Sequence, residues 1–170
     1  DLNLEKYINL SIATKVKELL EAEGAKVIMT RTSDKWVCYA DRNGAVRTHN
    51  PDMFISIHCD SSSAASAMGT SAYYYRAYSQ PLAKAIHKSI VEAYKAEIYK
   101  DKPSDFMSKI SRGANFYAFR VIRVEECPAI LIEYGFVSNT EECQVLQSAA
   151  NRDILAAATV KGIKNYISAS

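Results

Sequence analysis

Hydrophobic positions along the chain alternate between helical and extended spacing. From Leu4 to Glu23, the residues Ile8, Ile12, Val16 and Leu19 recur at helical intervals, and Gly24 stands where a helix stop belongs. Lys26–Thr30 (Lys-Val-Ile-Met-Thr) reads as a short strand. Asp34 to Asn50 reads as a polar loop followed by a helix that Pro51 ends. Met53–Ile57 is almost continuously apolar, the pattern of a strand buried on both faces, and Thr70–Tyr75 is a further strand closing on three tyrosines. Ser79 to Tyr94 predicts a helix with Leu82, Ile86, Ile90 and Ala93 inward. Lys95 to Asn115 is polar and irregular, and is expected to form an insertion or lid over a site. A short strand is expected over Phe116–Phe119 and a second buried strand over Ala129–Ile132, introduced by Pro128. Closing helices are expected over Thr140–Ser148 and Asp153–Ile167. This alternation predicts one three-layer α/β/α domain around a mainly parallel sheet. The small-residue run Ser61–Ser66 is too short for a linker and reads as a loop.

Composition narrows the class. With 48% apolar and 24% charged residues, 6 Gly and 4 Pro among 170, the chain has the apolar surface to bury a core, which excludes disorder. The net charge of +2, from 21 basic and 19 acidic residues, gives no electrostatic case for nucleic acid or an anionic membrane as the main partner. No apolar run approaches the length of a membrane span. Cys38, Cys59, Cys127 and Cys143 show neither paired nor metal-ligand spacing and are expected as free thiols in or near the core.

Three ionisable residues stand where chemistry is expected. In open α/β sheets, sites form at the carboxyl ends of strands. His58 follows Met-Phe-Ile-Ser-Ile and Glu133 follows Ala-Ile-Leu-Ile, so both should emerge at one rim. Glu5 lies within roughly 25° of the stripe Ile8, Ile12, Val16, Leu19 and so aims inward. A buried carboxylate needs a cationic partner, and glutamate with histidine is a donor set that zinc accepts. Each also has a plainer reading: Glu5 as a first-turn acid in water, His58 as a hydrogen-bonded core histidine, Glu133 as the partner of Arg120 or Arg123. His87 is expected at the boundary of its helix and His49 on a polar loop. There is no Gly-x-Ser-x-Gly, His-Glu-x-x-His, P-loop or Gly-x-Gly-x-x-Gly string.

The ordered strings extend the reading. Glu5-Lys-Tyr-Ile-Asn9 with Gly24-Ala-Lys-Val-Ile-Met-Thr-Arg31-Thr-Ser-Asp34 resembles the first block of the zinc-dependent N-acetylmuramoyl-L-alanine amidases of type 3, which act on peptidoglycan. Arg42 and Asp52-Met-Phe-Ile-Ser-Ile-His58 resemble the second block. Gly69-Thr-Ser-Ala-Tyr-Tyr-Tyr75 and Ser79-Gln-Pro-Leu-Ala83 resemble the strand and helix that follow. Cys127-Pro-Ala-Ile-Leu-Ile-Glu133-Tyr-Gly-Phe-Val-Ser-Asn139 is similar to the block holding the family's catalytic glutamate. The resemblance implies one zinc ion with Glu5 and His58 among its ligands and Glu133 as catalytic acid/base. It also implies hydrolysis of the bond between N-acetylmuramic acid and L-alanine, by a bacterial autolysin working outside the membrane, in the cell wall or periplasm, as a monomer.

Three departures qualify it. The family's first ligand is a histidine after an amino-terminal strand, whereas this sequence starts at Asp1, four residues before Glu5. We therefore expect residues 1–170 to be one amidase domain lacking an upstream segment. Arg47 stands where the family often has Asn, and Cys59-Asp60 where it has a small residue and Asn. The alternatives are a non-catalytic peptidoglycan-binding or regulatory domain that has lost its metal, and a zinc peptidase cutting stem peptides.

Overall fold

A computed structural model describes residues 2–169 of the chain, with side chains from Leu4 onward. Helix α1 (Leu2–Ala22) buries Ile8, Ile12 and Val16, the stripe expected from spacing. It ends as Gly24 turns to φ +88°, its amide bonding to Glu21 O, a left-handed stop that favours glycine. Helix α2 (Tyr39–His49) is capped by the Cys38 sulfur and stopped by Asn50 at φ 42°. His49 thus closes a helix and is exposed. Strands β1 (Phe54–Asp60) and β2 (Thr70–Tyr74) lead to α3 (Gln80–Ala93).

A π-helical turn (Tyr94–Ile98) and the single turn α4 (Ser104–Met107) precede β3 (Ser111–Phe116). Strand β4 (Ala129–Phe136) and helices α5 (Thr140–Gln147) and α6 (Ala149–Ser168) complete the chain. Helix α5 starts where the Asn139 side chain accepts from the amides of Glu141 and Glu142.

The sheet runs β1-β4-β2-β3. Strand β1 lies parallel to β4 and β2 parallel to β3, while β2 and β4 are antiparallel. On one face, Ile130, Ile132 and Tyr134 of β4 pack with α1, α3, α5 and α6 through Ile12, Ile86, Leu146 and Leu155. On the other, Ala129 and Leu131 pack with Val46 of α2 and with Val121 and Ile122 of the turn after β3. Helices therefore cover both faces, as three layers require.

Three expectations change. Lys26–Thr30 forms no strand, because among the described residues no neighbour bonds to it and β1 stays an edge strand. The segment Lys95–Asn115 is more regular than expected: it holds most of the π-helical turn, α4 and most of β3, and Tyr99 and Ile110 are buried, with the Tyr99 ring stacked on Tyr94 and edge-on to Phe106. The strand expected at Phe116–Phe119 ends at Phe116, its start lying earlier, at Ser111.

Candidate active site

The three sequence candidates come together at one rim of the sheet. His58 and Glu133 are Cα partners in the parallel β1·β4 ladder. By strand alternation both project on the face of Ala129 and Leu131. Glu5 reaches the same point from the first turns of α1. Its Oε1 lies 3.1 Å from His58 Nδ1 and accepts from Asn9 Nδ2 at 2.9 Å and from the Cys59 amide at 3.4 Å. The first-turn acid is therefore not a solvated end, and Glu133 does not pair with an arginine. Arg123 donates to Ala118 O, and Arg120 lies over the Tyr39 ring.

The electrostatics of the two acids diverge. Burial alone would raise the Glu5 carboxyl. Hydrogen bonds from His58 and Asn9, the His58 charge and the Cys59 amide outweigh it and hold the group below its ordinary value. Glu133 has no such donors. Burial, then the charges of Asp60 and Glu5, push its carboxyl up to about 9, and its Oε2 is buried with no partner among the described residues. Adjacent acids held to opposite protonation states mark a site built for proton handling.

Ser56, two residues before His58 on the same strand face, places its Oγ 3.0 Å from His58 Nε2. An ionised Glu5 only accepts, so His58 Nδ1 carries a proton toward Glu5, and Nε2 pairs with the Ser56 hydroxyl. A cation bound between Glu5 and His58 would replace that Nδ1 proton. Two ligands of one tetrahedral zinc lie about 3.3 Å apart when each bond is about 2.0–2.1 Å, close to the separation here. The pair fits zinc in kind, one imidazole nitrogen and one carboxylate. Among the described residues no third His, Cys, Asp or Glu joins it in a metal-ready group.

Residues beyond the three candidates brace the rim. Glu142 is 1% exposed, and its carboxyl oxygens accept from the amides of Gly69 and Phe136, both at 2.8 Å. Ser62 N donates to Ser138 Oγ, Asn139 Nδ2 to Ala65 O, and Val137 N to Asp60 O. The loop after His58 is thereby fastened to the turn after Glu133. Period-two spacing could have flagged Ser56, and i,i+4 spacing Asn9. Glu142 reads in sequence only as a first-turn acid of a capped helix. His87, expected at a boundary, is buried at 7% exposure with Nε2 3.2 Å from Thr70 O; burial lowers its proton affinity, so the neutral ring donates there.

An acid pushed toward neutrality beside a carboxylate–imidazole pair, in the carboxyl-terminal halves of two parallel strands of an α/β domain, is an arrangement suited to hydrolysis. Residues 1–165 match the family described as N-acetylmuramoyl-L-alanine amidase, and the chain belongs to that family. It is 32% identical over 166 residues to a Staphylococcus epidermidis protein named probable cell wall amidase LytH, a match covering 98% of this chain and 51% of that protein. Identity to the N-acetylmuramoyl-L-alanine amidase LytC of Bacillus subtilis is 29%, covering 96% of this chain and 31% of LytC. The chain thus spans about half or less of the curated relatives it matches. Among solved structures, the catalytic domain of the amidase CwlV from Bacillus (Paenibacillus) polymyxa var. colistinus superposes with a TM-score of 0.85 at 29% identity, covering 98% of this chain and 86% of that one. An amidase from Clostridium difficile 630 superposes at 0.86 with 28% identity, covering 98% and 85%.

Proposed function

We propose that this domain hydrolyses the amide between N-acetylmuramic acid and L-alanine in peptidoglycan, with one zinc ion, outside the bacterial membrane. The observation that carries the reading is the convergence of Glu5, His58 and Glu133 at one rim, with Glu5 held ionised and Glu133 driven toward its neutral form. Family membership supports it. A wall location agrees with the names of the relatives, and among the described residues no helix is long and apolar enough to cross a membrane.

Glu5 and His58 would hold the zinc. When bound, it supplies a Lewis acid that polarises a carbonyl and acidifies water. Ser56 fixes the His58 ring so that Nδ1 faces Glu5, and Asn9 and the Cys59 amide fix the Glu5 carboxylate. Glu133 takes a proton from the attacking water in its ionised form and returns it to the departing alanine nitrogen, the two halves of general base and general acid work. Its buried surroundings keep that proton from bulk water between the two transfers.

Digestion of purified peptidoglycan tests the assignment. The expected products carry new L-alanine amino termini without new reducing sugar ends, and Glu133→Gln lowers the rate by about 10²–10⁴-fold. Cleavage of peptide-only substrates in preference to muramoyl-L-alanine would instead make the protein a stem-peptide peptidase. Binding without cleavage would make it a recognition domain.

A further inference from the structure

The entry to β2 carries a hydroxyl that the fold buries and leaves without a partner. Ser71 is 1% exposed and its Oγ makes no hydrogen bond among the described residues. The neighbouring Thr70 is bonded at three points: its amide donates to Ile110 O, its carbonyl accepts from His87, and its hydroxyl donates to Glu133 O at 2.8 Å. Ser71 therefore sits on a backbone that is held firmly at the rim.

Ser71 and Glu133 are direct partners in the antiparallel β2·β4 ladder. Residues directly opposite in such a ladder project on the same face with Cβ atoms about 4.5–5.5 Å apart. Glu133 brings to that face a buried carboxyl oxygen, Oε2, that also lacks a partner. One orphan hydroxyl and one orphan carboxyl oxygen thus share a single rung. Buried polar groups in folded proteins are paired with protein or ordered water, so two orphans on one rung point to each other.

We propose that Ser71 is a positioning residue for Glu133, bonding its carboxyl directly or through one ordered water. This rests on Glu133 being the acid/base of amide hydrolysis. A hydroxyl suits both halves of that work, because it donates to the ionised carboxylate and accepts from the protonated acid. It fixes the rotamer of a side chain that receives no other hydrogen bond among the described residues, and so holds the reacting oxygen in one place.

Two measurements test the proposal. In kinetics on a muramoyl-peptide substrate, Ser71→Ala lowers kcat about 10-fold with KM changed less than about 2-fold, and Ser71→Thr, which keeps the hydroxyl, recovers most of the loss. In a Glu133→Gln background, Ser71→Ala costs nothing further. Unchanged kcat in Ser71→Ala, equal losses in Ala and Thr variants, or additive losses with Glu133→Gln would overturn it. A high-resolution crystal structure gives the second readout and needs no activity. Ser71 Oγ within hydrogen-bond distance of the Glu133 carboxyl, or one water from it, supports the proposal; a hydroxyl partnered elsewhere overturns it. Wild-type protein without hydrolysis would end the amidase reading, and the crystal contact alone would then decide the role of Ser71.

Discussion

Glu133 sits in surroundings that favour its neutral form, and this ties its function to a stability cost. With its carboxyl raised from 4.5 to about 9 in the folded protein, the favourable contribution of the neutral acid is fully present below pH 4.5 and is lost as pH rises toward 9. Across that window the metal-free protein weakens by up to about 1.4 kcal/mol per pH unit relative to a variant that cannot ionise there. Glu133→Gln is therefore expected to be more stable than wild type at pH 8 and nearly equal at pH 4.5, while losing activity. Urea unfolding in a chelating buffer at the two pH values measures this; a variant gap that does not grow with pH contradicts it. Glu133 was legible as a site residue because an acid directly after Ala-Ile-Leu-Ile is out of place in a buried strand; the strand itself runs on past it to Phe136, which the sequence did not show. Ser71 was not, because a serine in a strand carries no signal of what faces it across a ladder.

The strand-end turns meet at Glu142, which joins the β4–α5 turn to the start of β2 through two buried amides. Glutamine keeps the shape but turns an N–H toward one of those donors. Glu142→Gln is expected to destabilise by about 1.5–3 kcal/mol, read as a lower urea midpoint with unchanged slope. Helices α3 and α6 make a different demand. A Cβ at Gly162 would lie 2.5 Å from Ile86 Cα and 3.0 Å from Ala85 O, so Gly162→Ala must push the helices apart. We expect a loss of about 1–3 kcal/mol in thermal or urea unfolding; a neutral substitution would show that the helix pair gives way more easily than its packing implies. Helices were legible because periodicity and caps are local, as Ile8–Ile12–Val16 and Asn139 illustrate. Lys26–Thr30 misled because strand-forming residues make a strand only beside a partner, and among the described residues none bonds to it.

At the level of the molecule, helices cover both sheet faces, and α1 delivers Glu5 to His58 on β1, beside Glu133 on β4. The layered α/β architecture was readable from alternation alone. The antiparallel pairing of β2 with β4 was not, since spacing along a chain does not fix strand direction, and that pairing is what sets Ser71 opposite Glu133. The order of the family's blocks along the sequence supplied the reaction class, and the fold then brought Glu5, His58 and Glu133, separated by up to 128 positions (133 − 5), to one place.

The central claim is that Glu5 and His58 bind a metal while Glu133 works on protons beside it. Zinc content of the purified protein and of Glu5→Ala, His58→Ala and Glu133→Gln separates these roles in one measurement. The account predicts about one zinc per chain in wild type, retained in Glu133→Gln and lost in the other two. Folded wild-type protein without zinc, or zinc retained in both Glu5→Ala and His58→Ala, would contradict it.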